Sequence, residues 1–410
     1  MIARRPFLIP SLTKAACAAL TAIALGFAPL AGVGPVQAAT PAKGEFHTTA
    51  PHAILIDAAS GSILMEQEAD AGFFPASLAK LMTVEVVLNE LRQGHIKPTD
   101  EYTVSEFAWR HGGAPSRTSS MFLPIHSKAS VDDLLHGVII QSGNDACITL
   151  AEGISKNEGE FALKMTDRAR QLGLTKSVFT NSTGLPDPAM TVTARELGKL
   201  ARYIIQTYPD YYKLFGQPEF TWNKIRQYNR NPLLKMSIGA DGLKTGFTKE
   251  AGYGLVGSAV QNGFRLIVVV AGMKTAKDRA NEAKRILEWG FHTFESRMLF
   301  AQGQTVGEAK VFGGAEGHVA LQSDEAVSLM VPRGGNDKIR ASIVYTGPLP
   351  APVKSGQPVG VLRVMRNDNL ALEVPLHAAN DVGVGTVSQR AFDAVAESVI
   401  TVVIAGFKRL

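Results

Sequence analysis

Pro75-Ala76-Ser77-Leu78-Ala79-Lys80-Leu81-Met82-Thr83-Val84-Glu85-Val86-Val87-Leu88 sets a lysine one turn after a serine at the start of an apolar helical pattern. Leu81, Val84, Leu88 and Leu91 recur at helical spacing, and neither Gly nor Pro interrupts residues 77–91. Residues three apart on a helix share a face, so the Lys80 amine can reach the Ser77 hydroxyl and accept its proton. The helix N-terminus adds a dipole that favours a developing oxyanion. A free lysine is protonated at neutral pH, so such a base needs burial or a neighbouring cation. The spacing has little specificity by itself: Ser11-Leu12-Thr13-Lys14 repeats it inside a stretch that reads as an export signal.

Two further clusters supply the context. Ser142-Gly143-Asn144 follows the apolar run 138–140 and precedes the apolar stretch 146–151. Its hydroxyl can relay a proton and its amide can hold a carbonyl, although alone it reads equally as a polar turn or helix cap. Lys244-Thr245-Gly246 precedes Phe247-Thr248. On a strand Lys244 and Gly246 face one way, the glycine admits another backbone, and the lysine offers positive charge to a carboxylate. Alone, that lysine would be a surface strand end. The ordered triplet is far more specific than any member, and it is found in penicillin-binding proteins and related β-lactamases.

Pro75 to Thr83, Gln141-Ser142-Gly143-Asn144-Asp145-Ala146 and Asp241-Gly242-Leu243-Lys244-Thr245-Gly246-Phe247-Thr248 closely resemble the serine-type D-alanyl-D-alanine carboxypeptidase family, the low-molecular-mass penicillin-binding proteins. Asn181-Ser182-Thr183-Gly184-Leu185, Thr193-Ala194-Arg195-Glu196 and Pro352-Val353-Lys354-Ser355-Gly356-Gln357 extend the resemblance over most of the chain. It implies a mixed α/β catalytic domain of the serine β-lactamase/transpeptidase type, a small all-β C-terminal domain and a terminal amphipathic helix. It also implies an acyl-enzyme on Ser77 with Lys80 as its base, and Ser142 and Asn144 in mid-site. Lys244 and Thr245 would hold the substrate carboxylate, and Gly246 would pass close to substrate. The amides of Ser77 and Phe247 would form the oxyanion hole, and Arg279 matches a family arginine near the terminal carboxylate. The expected substrate is a peptidoglycan pentapeptide, with β-lactams as covalent inhibitors and no cofactor. Ala79, Thr183 and Glu196 depart from the family's usual threonine, histidine and aspartate.

The organisation expected from the sequence is an export signal over 1–39, a catalytic domain over 45–298, a β-rich domain over 301–387 and a membrane-anchoring helix over 388–410. Basic Arg4, Arg5 and Lys14, an apolar stretch over 15–31 and small residues around Ala38 describe a secretory leader; Arg4-Arg5 also fits a twin-arginine signal. The expectation is a protein on the periplasmic side of the bacterial inner membrane. Without the leader the formal charge of +5 falls to +2 and Cys147 is the sole cysteine, so no internal disulfide is expected. From Ser388 on, Arg390, Asp393, Glu397 and Lys408 fall on one helical stripe and Phe392, Val395, Val399 and Phe407 opposite. The apolar run is too short to span a bilayer, so this helix is expected to lie on a membrane surface; a terminal helix docked on a domain is the alternative. Between 300 and 387, Ile339, Ala341, Ile343 and Tyr345 alternate with other residues and Pro348, Pro350, Pro352 and Pro358 punctuate the strands. Scattered histidines argue against a metal site, and the absence of a basic cluster argues against nucleic acid.

Three rivals remain. Glu85-Val86-Val87-Leu88-Asn89 matches the Glu-x-x-Leu-Asn of class A β-lactamases but lies on the Ser77 helix, before Ser142. A cell-wall endopeptidase of the same superfamily would be shorter. A wall-binding scaffold with a decayed site conflicts with an intact Ser77, Lys80, Ser142, Asn144 and Lys244.

Overall fold

The computed structural model describes residues 2–7, 46–335, 337–367 and 369–394. Most of the expected leader and the terminal helix from 395 onward lie outside the described residues.

Two runs of β-branched and apolar residues at the start and end of the catalytic half come together as a five-stranded antiparallel sheet. Its strands are β1 (His52–Asp57), β2 (Ile63–Gln67), β3 (Ala240–Thr248), β4 (Gly252–Gln261) and β5 (Phe264–Met273), in the order β2-β1-β5-β4-β3. The β4–β5 connection is the expected hairpin, with Asn262 and Gly263 both at positive φ (50° and 81°), the backbone a two-residue primed turn requires. Side chains alternate across a strand, and both faces of this sheet are covered. Ile54, Ile56, Ile267 and Val269 enter one core with Leu81, Val84 and Leu88. Ala53, Leu55, Leu266, Val268 and Val270 enter another with Ala283, Ile286 and Leu287. Burying each large apolar side chain contributes roughly 1.5–3 kcal/mol.

The first core is helical: α1 (Lys80–Arg92), α2 (Asn144–Ser155), α3 (Glu158–Gln171) and α4 (Ala194–Thr207). The second is closed by α5 (Ala276–Thr293), whose N-cap Thr275 accepts the Asp278 amide. The helix therefore starts one turn before the periodic apolar residues, at its cap. The last strand of the sheet, β3, is an edge, and its neighbour in space is the turn carrying Ser77. Gly246 makes that approach possible: a Cβ there would stand 3.0 Å from the Pro75 carbonyl and 3.1 Å from the Leu78 amide.

The C-terminal domain is all-β, built on Ala309, Val311, Leu321, Leu329, Leu362, Val364 and Leu376. Phe294–Phe300 pairs with Val327–Pro332, so this strand spans the expected boundary near 298. The larger sheet runs through Ile339–Thr346, Pro358–Arg366, Asn369–Ala378, His318–Gln322 and Gly307–Phe312. Ile2–Phe7, within the expected leader, pairs antiparallel with Ile339–Thr346 at the edge of this sheet. Residues 387–394 are helical and open with a capping box: the Gln389 amide donates to Thr386 Oγ1, and the Thr386 amide donates to Gln389 Oε1. Among the described residues no helix is long and apolar enough to cross a membrane.

Candidate active site

The serine turn is a 3₁₀ segment, Ala76–Ala79, that passes into α1 at Lys80. The i,i+3 spacing in this tighter turn brings the two side chains together: Lys80 Nζ donates to Ser77 Oγ at 3.0 Å and to the Thr183 carbonyl at 2.5 Å. Lys80 is wholly buried. Desolvation is the main force on its amine, and Arg230 adds repulsion; its pKa falls to about 8. Cys147, next to it, lends no negative charge at neutral pH, because burial pushes its thiol up to about 12.

Ser142 and Asn144 sit where a second helix begins. A π-helical turn, Gly137–Gln141, ends at Ser142 in the left-handed region (φ 63°, ψ 32°), and Gly143 is the N-cap of α2. Sparse backbone geometry of this kind persists where the surroundings hold it, and here they do. Asp145, fully buried, accepts the amides of Met121 (2.8 Å), Leu123 (3.0 Å) and Ala146 (3.0 Å) and the Ser120 hydroxyl (2.7 Å). This pins the 116–123 loop over α2. In return the Asn144 amide donates to the Ser119 carbonyl at 2.7 Å, and Asn144 Nδ2 donates to Thr118 Oγ1 at 2.9 Å. Ser142 Oγ and Asn144 Oδ1 are buried without a hydrogen-bond partner among the described residues.

On β3, Lys244 is buried and its Nζ donates to the Thr245 carbonyl at 3.1 Å. Desolvation, then the charges of Lys80 and Arg230, depress its pKa well below the ordinary lysine value. Thr245 is buried beside it. The Phe247 side chain is half-exposed at the cleft mouth, stacked on Tyr253 with ring centroids 4.1 Å apart. Arg279 lies over the other ring, its guanidinium carbon 5.7 Å from the Tyr253 centroid, with Nε unpartnered.

The structure thus joins Lys80 to Ser77, packs Gly246 of β3 against the Ser77 turn, and sets Lys244 within electrostatic reach of Lys80 and Arg279, with Ser142 and Asn144 at the entry to α2. It adds Arg230, which the sequence reading passed over. Arg230 Nη1 donates to Ser119 Oγ at 2.7 Å, and its charge acts on both lysines. No local signal distinguishes it from Arg226 in the sequence. The three departures have local explanations. Thr183 meets Lys80 through its backbone carbonyl, while its buried hydroxyl donates to Asn181 Oδ1 at 2.8 Å and accepts the Leu185 amide at 3.2 Å. Ala79 is fully buried against Gly184, where a glycine Cβ would stand 3.2 Å from the Ala79 Cβ. Glu196 accepts the Lys176 amide at 2.8 Å and the Ser177 hydroxyl, a structural tie. Glu85, of the β-lactamase-like stretch, is buried and held by Arg168 (2.9 Å) and Tyr208 (3.2 Å). Among the described residues no group of His, Cys, Asp and Glu forms a metal site.

Residues 36–275 match the family model described as D-alanyl-D-alanine carboxypeptidase, and residues 294–384 match the one described as penicillin-binding protein 5, C-terminal domain. The chain is 43% identical over 343 residues to the D-alanyl-D-alanine carboxypeptidase DacC of Escherichia coli K12, covering 83% of this chain and 86% of that one. Penicillin-binding protein 5 of Haemophilus influenzae superposes with a TM-score of 0.74 at 38% identity, over 83% of this chain and all of that one. Penicillin-binding protein D2 of Listeria monocytogenes in its ampicillin-bound form superposes with a TM-score of 0.54 at 29% identity, over 61% of this chain and all of that one.

Proposed function

The chain belongs to the D-alanyl-D-alanine carboxypeptidase family and is a serine-type, penicillin-binding carboxypeptidase; from that premise we propose that Ser77 is the residue acylated, with Lys80 as its base. The observation that carries the assignment is the buried Lys80 amine, 3.0 Å from Ser77 Oγ with a pKa of about 8. Neutral Lys80 takes the Ser77 proton as Oγ bonds to the carbonyl carbon of the penultimate D-Ala. The amides of Ser77 and Phe247 receive the oxyanion. The C–N bond then breaks, and the leaving amine of the terminal D-Ala takes a proton relayed from Lys80 through Ser142. Water, deprotonated by the same lysine, hydrolyses the ester and restores Ser77.

Asn144 Oδ1 and Nδ2 suit a peptide amide, and Lys244, Thr245 and Arg230 suit the terminal carboxylate, with Gly246 leaving room for the substrate backbone. Arg279 stiffens the Tyr253–Phe247 stack at the mouth. A β-lactam presents the same acyl group and is held as a long-lived ester. Glu85, the carboxylate of the class A-like stretch, is occupied by Arg168 and Tyr208 and so is not the free base that a β-lactamase water requires. The domain division proposed is a catalytic unit to about 293 and a β-rich unit after it that spaces the site from a surface. Export by the leader and peripheral attachment through the helix beginning near 387 complete the proposal, supported by the exposed Val387 and Phe392.

The experiment follows D-Ala released from a pentapeptide ending in D-Ala-D-Ala, with Ser77→Ala beside the parent enzyme and the mass of a penicillin adduct measured in parallel. Release lost in S77A, together with a stable adduct on the Ser77 peptide, supports the assignment. Release that persists in S77A refutes it.

A further inference from the structure

Lys80 and Thr83 lie one turn apart on α1 and reach consecutive carbonyls of one loop. Lys80 Nζ donates to the Thr183 carbonyl at 2.5 Å, and Thr83 Oγ1 donates to the Ser182 carbonyl at 2.6 Å. Residues three apart share a helix face, so α1 grips the loop at two adjoining points. The loop is also tied within itself: Asn181 Oδ1 accepts the Thr183 amide at 3.1 Å, the Gly184 amide at 2.8 Å and the Thr183 hydroxyl at 2.8 Å. A further anchor comes from a different helix. Glu158, in the first turn of α3, takes the Ser182 amide at 3.0 Å and the Ser182 hydroxyl at 2.6 Å on one oxygen, Oε1. Asn157 caps that helix by accepting the Glu160 amide at 2.8 Å, which fixes the turn that carries Glu158.

The Thr183 carbonyl matters because of what a lysine base must do. Its lone pair has to face Ser77 Oγ, and an N–H given to a fixed acceptor sets that direction. Glu158 also acts through its charge. Desolvation is the first influence on the Lys80 amine, and Cys147 follows, although it stays a thiol at neutral pH. Arg230 comes next and disfavours the proton; Glu158 and then Asp145 favour it. Lys244 faces the same amine from β3. Glu152 of α2 faces Glu158, and burial first, with that charge besides, pushes its carboxyl up. Of the two carboxylates that act on Lys80, Glu158 is therefore the stronger, and among the described residues it makes no hydrogen bond to Lys80 or Ser77.

We propose that Glu158 is a positioning residue for acylation: through Ser182 it holds the Thr183 carbonyl against the Lys80 amine, and its negative charge offsets that of Arg230 there. The proposal rests on the reading of Lys80 as the base. It is tested on the full chain with diacetyl-L-lysyl-D-Ala-D-Ala, whose side chain carries no charge, by following D-Ala release across pH 6 to 10. Rates are set per active site, counted by the mass of the penicillin adduct. Glu158→Gln keeps an oxygen for Ser182 and loses the charge, so the limb of kcat/KM moves to lower pH by about half a unit to one unit. The plateau falls about threefold, as a weaker base should give. Glu158→Ala also releases the loop, and its plateau falls about tenfold or more. Ser182→Ala keeps both the charge and the backbone amide, and its limb stays where the parent's is. A limb that E158Q leaves in place overturns the proposal and spares the base assignment. A shift in S182A as large as in E158Q assigns the effect to loosening of the loop and overturns the role of the charge. An E158A plateau equal to that of E158Q overturns the positioning. A parent profile that is flat over the whole range overturns Lys80 as the base, and the proposal with it.

Discussion

At the residue scale the chemistry turns on one buried amine. Lys80 has a pKa of about 8 in the fold against 10.5 in its unfolded state, so kcat/KM for a neutral-side-chain substrate is expected to rise with pH along a limb near 8 and then level off. Arg230 helps hold that value down; Arg230→Gln moves the limb upward and raises KM, which a pH series on the two enzymes checks. The same shift is a stability statement. Between about pH 8 and 10.5 the unfolded chain binds the Lys80 proton and the folded one does not, so stability rises with pH through that window. Below it, the fold bears a penalty of about 3 kcal/mol. Lys80→Met abolishes D-Ala release and flattens that rise, as urea midpoints at pH 7.5 and 10 will register. Ser77 and Lys80 were legible because a helix turn is a rule of spacing. Arg230 was not, because it reaches the cleft through a loop and touches Ser119, a contact with no sequence period. Thr183 was legible only as an anomaly, because its contribution is a backbone oxygen.

At the scale of elements, the site is an agreement between three separate termini: a 3₁₀ turn entering α1, a π turn entering α2, and the end of an edge strand. Alternation made the strands readable, and the Asn262-Gly263 turn announced its hairpin. The 3₁₀ and π turns were not readable, because both carry residues that an α-helix accepts equally well; their geometry is set by tertiary contacts. Asp145 shows how much one buried carboxylate contributes. Removing it in Asp145→Ala leaves the Met121 and Leu123 amides buried without partners, with an expected loss of roughly 3–5 kcal/mol in urea denaturation. The loop it pins also loosens, so KM rises. Gly246→Ala tests the meeting of strand and turn: with only 3.0 Å to the Pro75 carbonyl, the strand must move away from Ser77. Acylation by penicillin is expected to slow about tenfold or more, measured as the second-order rate of adduct formation, with little change in fold by circular dichroism.

At the scale of the molecule, the C-terminal core is a separate cluster from the two that flank the catalytic sheet, tied to them by Met330, which packs in the second core, and by the Ser62 hydroxyl donating to the Ala371 carbonyl at 2.7 Å. Calorimetry of the parent enzyme is expected to resolve two transitions, and covalent penicillin to raise only one of them, since the ester stabilises the unit that carries it. The division into a mixed half and a β half was legible from the shift in glycine, proline and alternation after 300. The strand Phe294–Phe300 straddles the boundary expected near 298, and its register is decided by Val327–Pro332, a pairing that local periodicity does not carry. The stacked Phe247 and Tyr253 rings at the cleft mouth have a last consequence for medicinal chemistry. Phe247 is half-exposed, so a covalent drug aimed at Ser77 meets flat aromatic surface on its way in. Among lactams of equal ring reactivity, those whose side chain carries a flat ring are expected to acylate this enzyme faster than those carrying a small alkyl group.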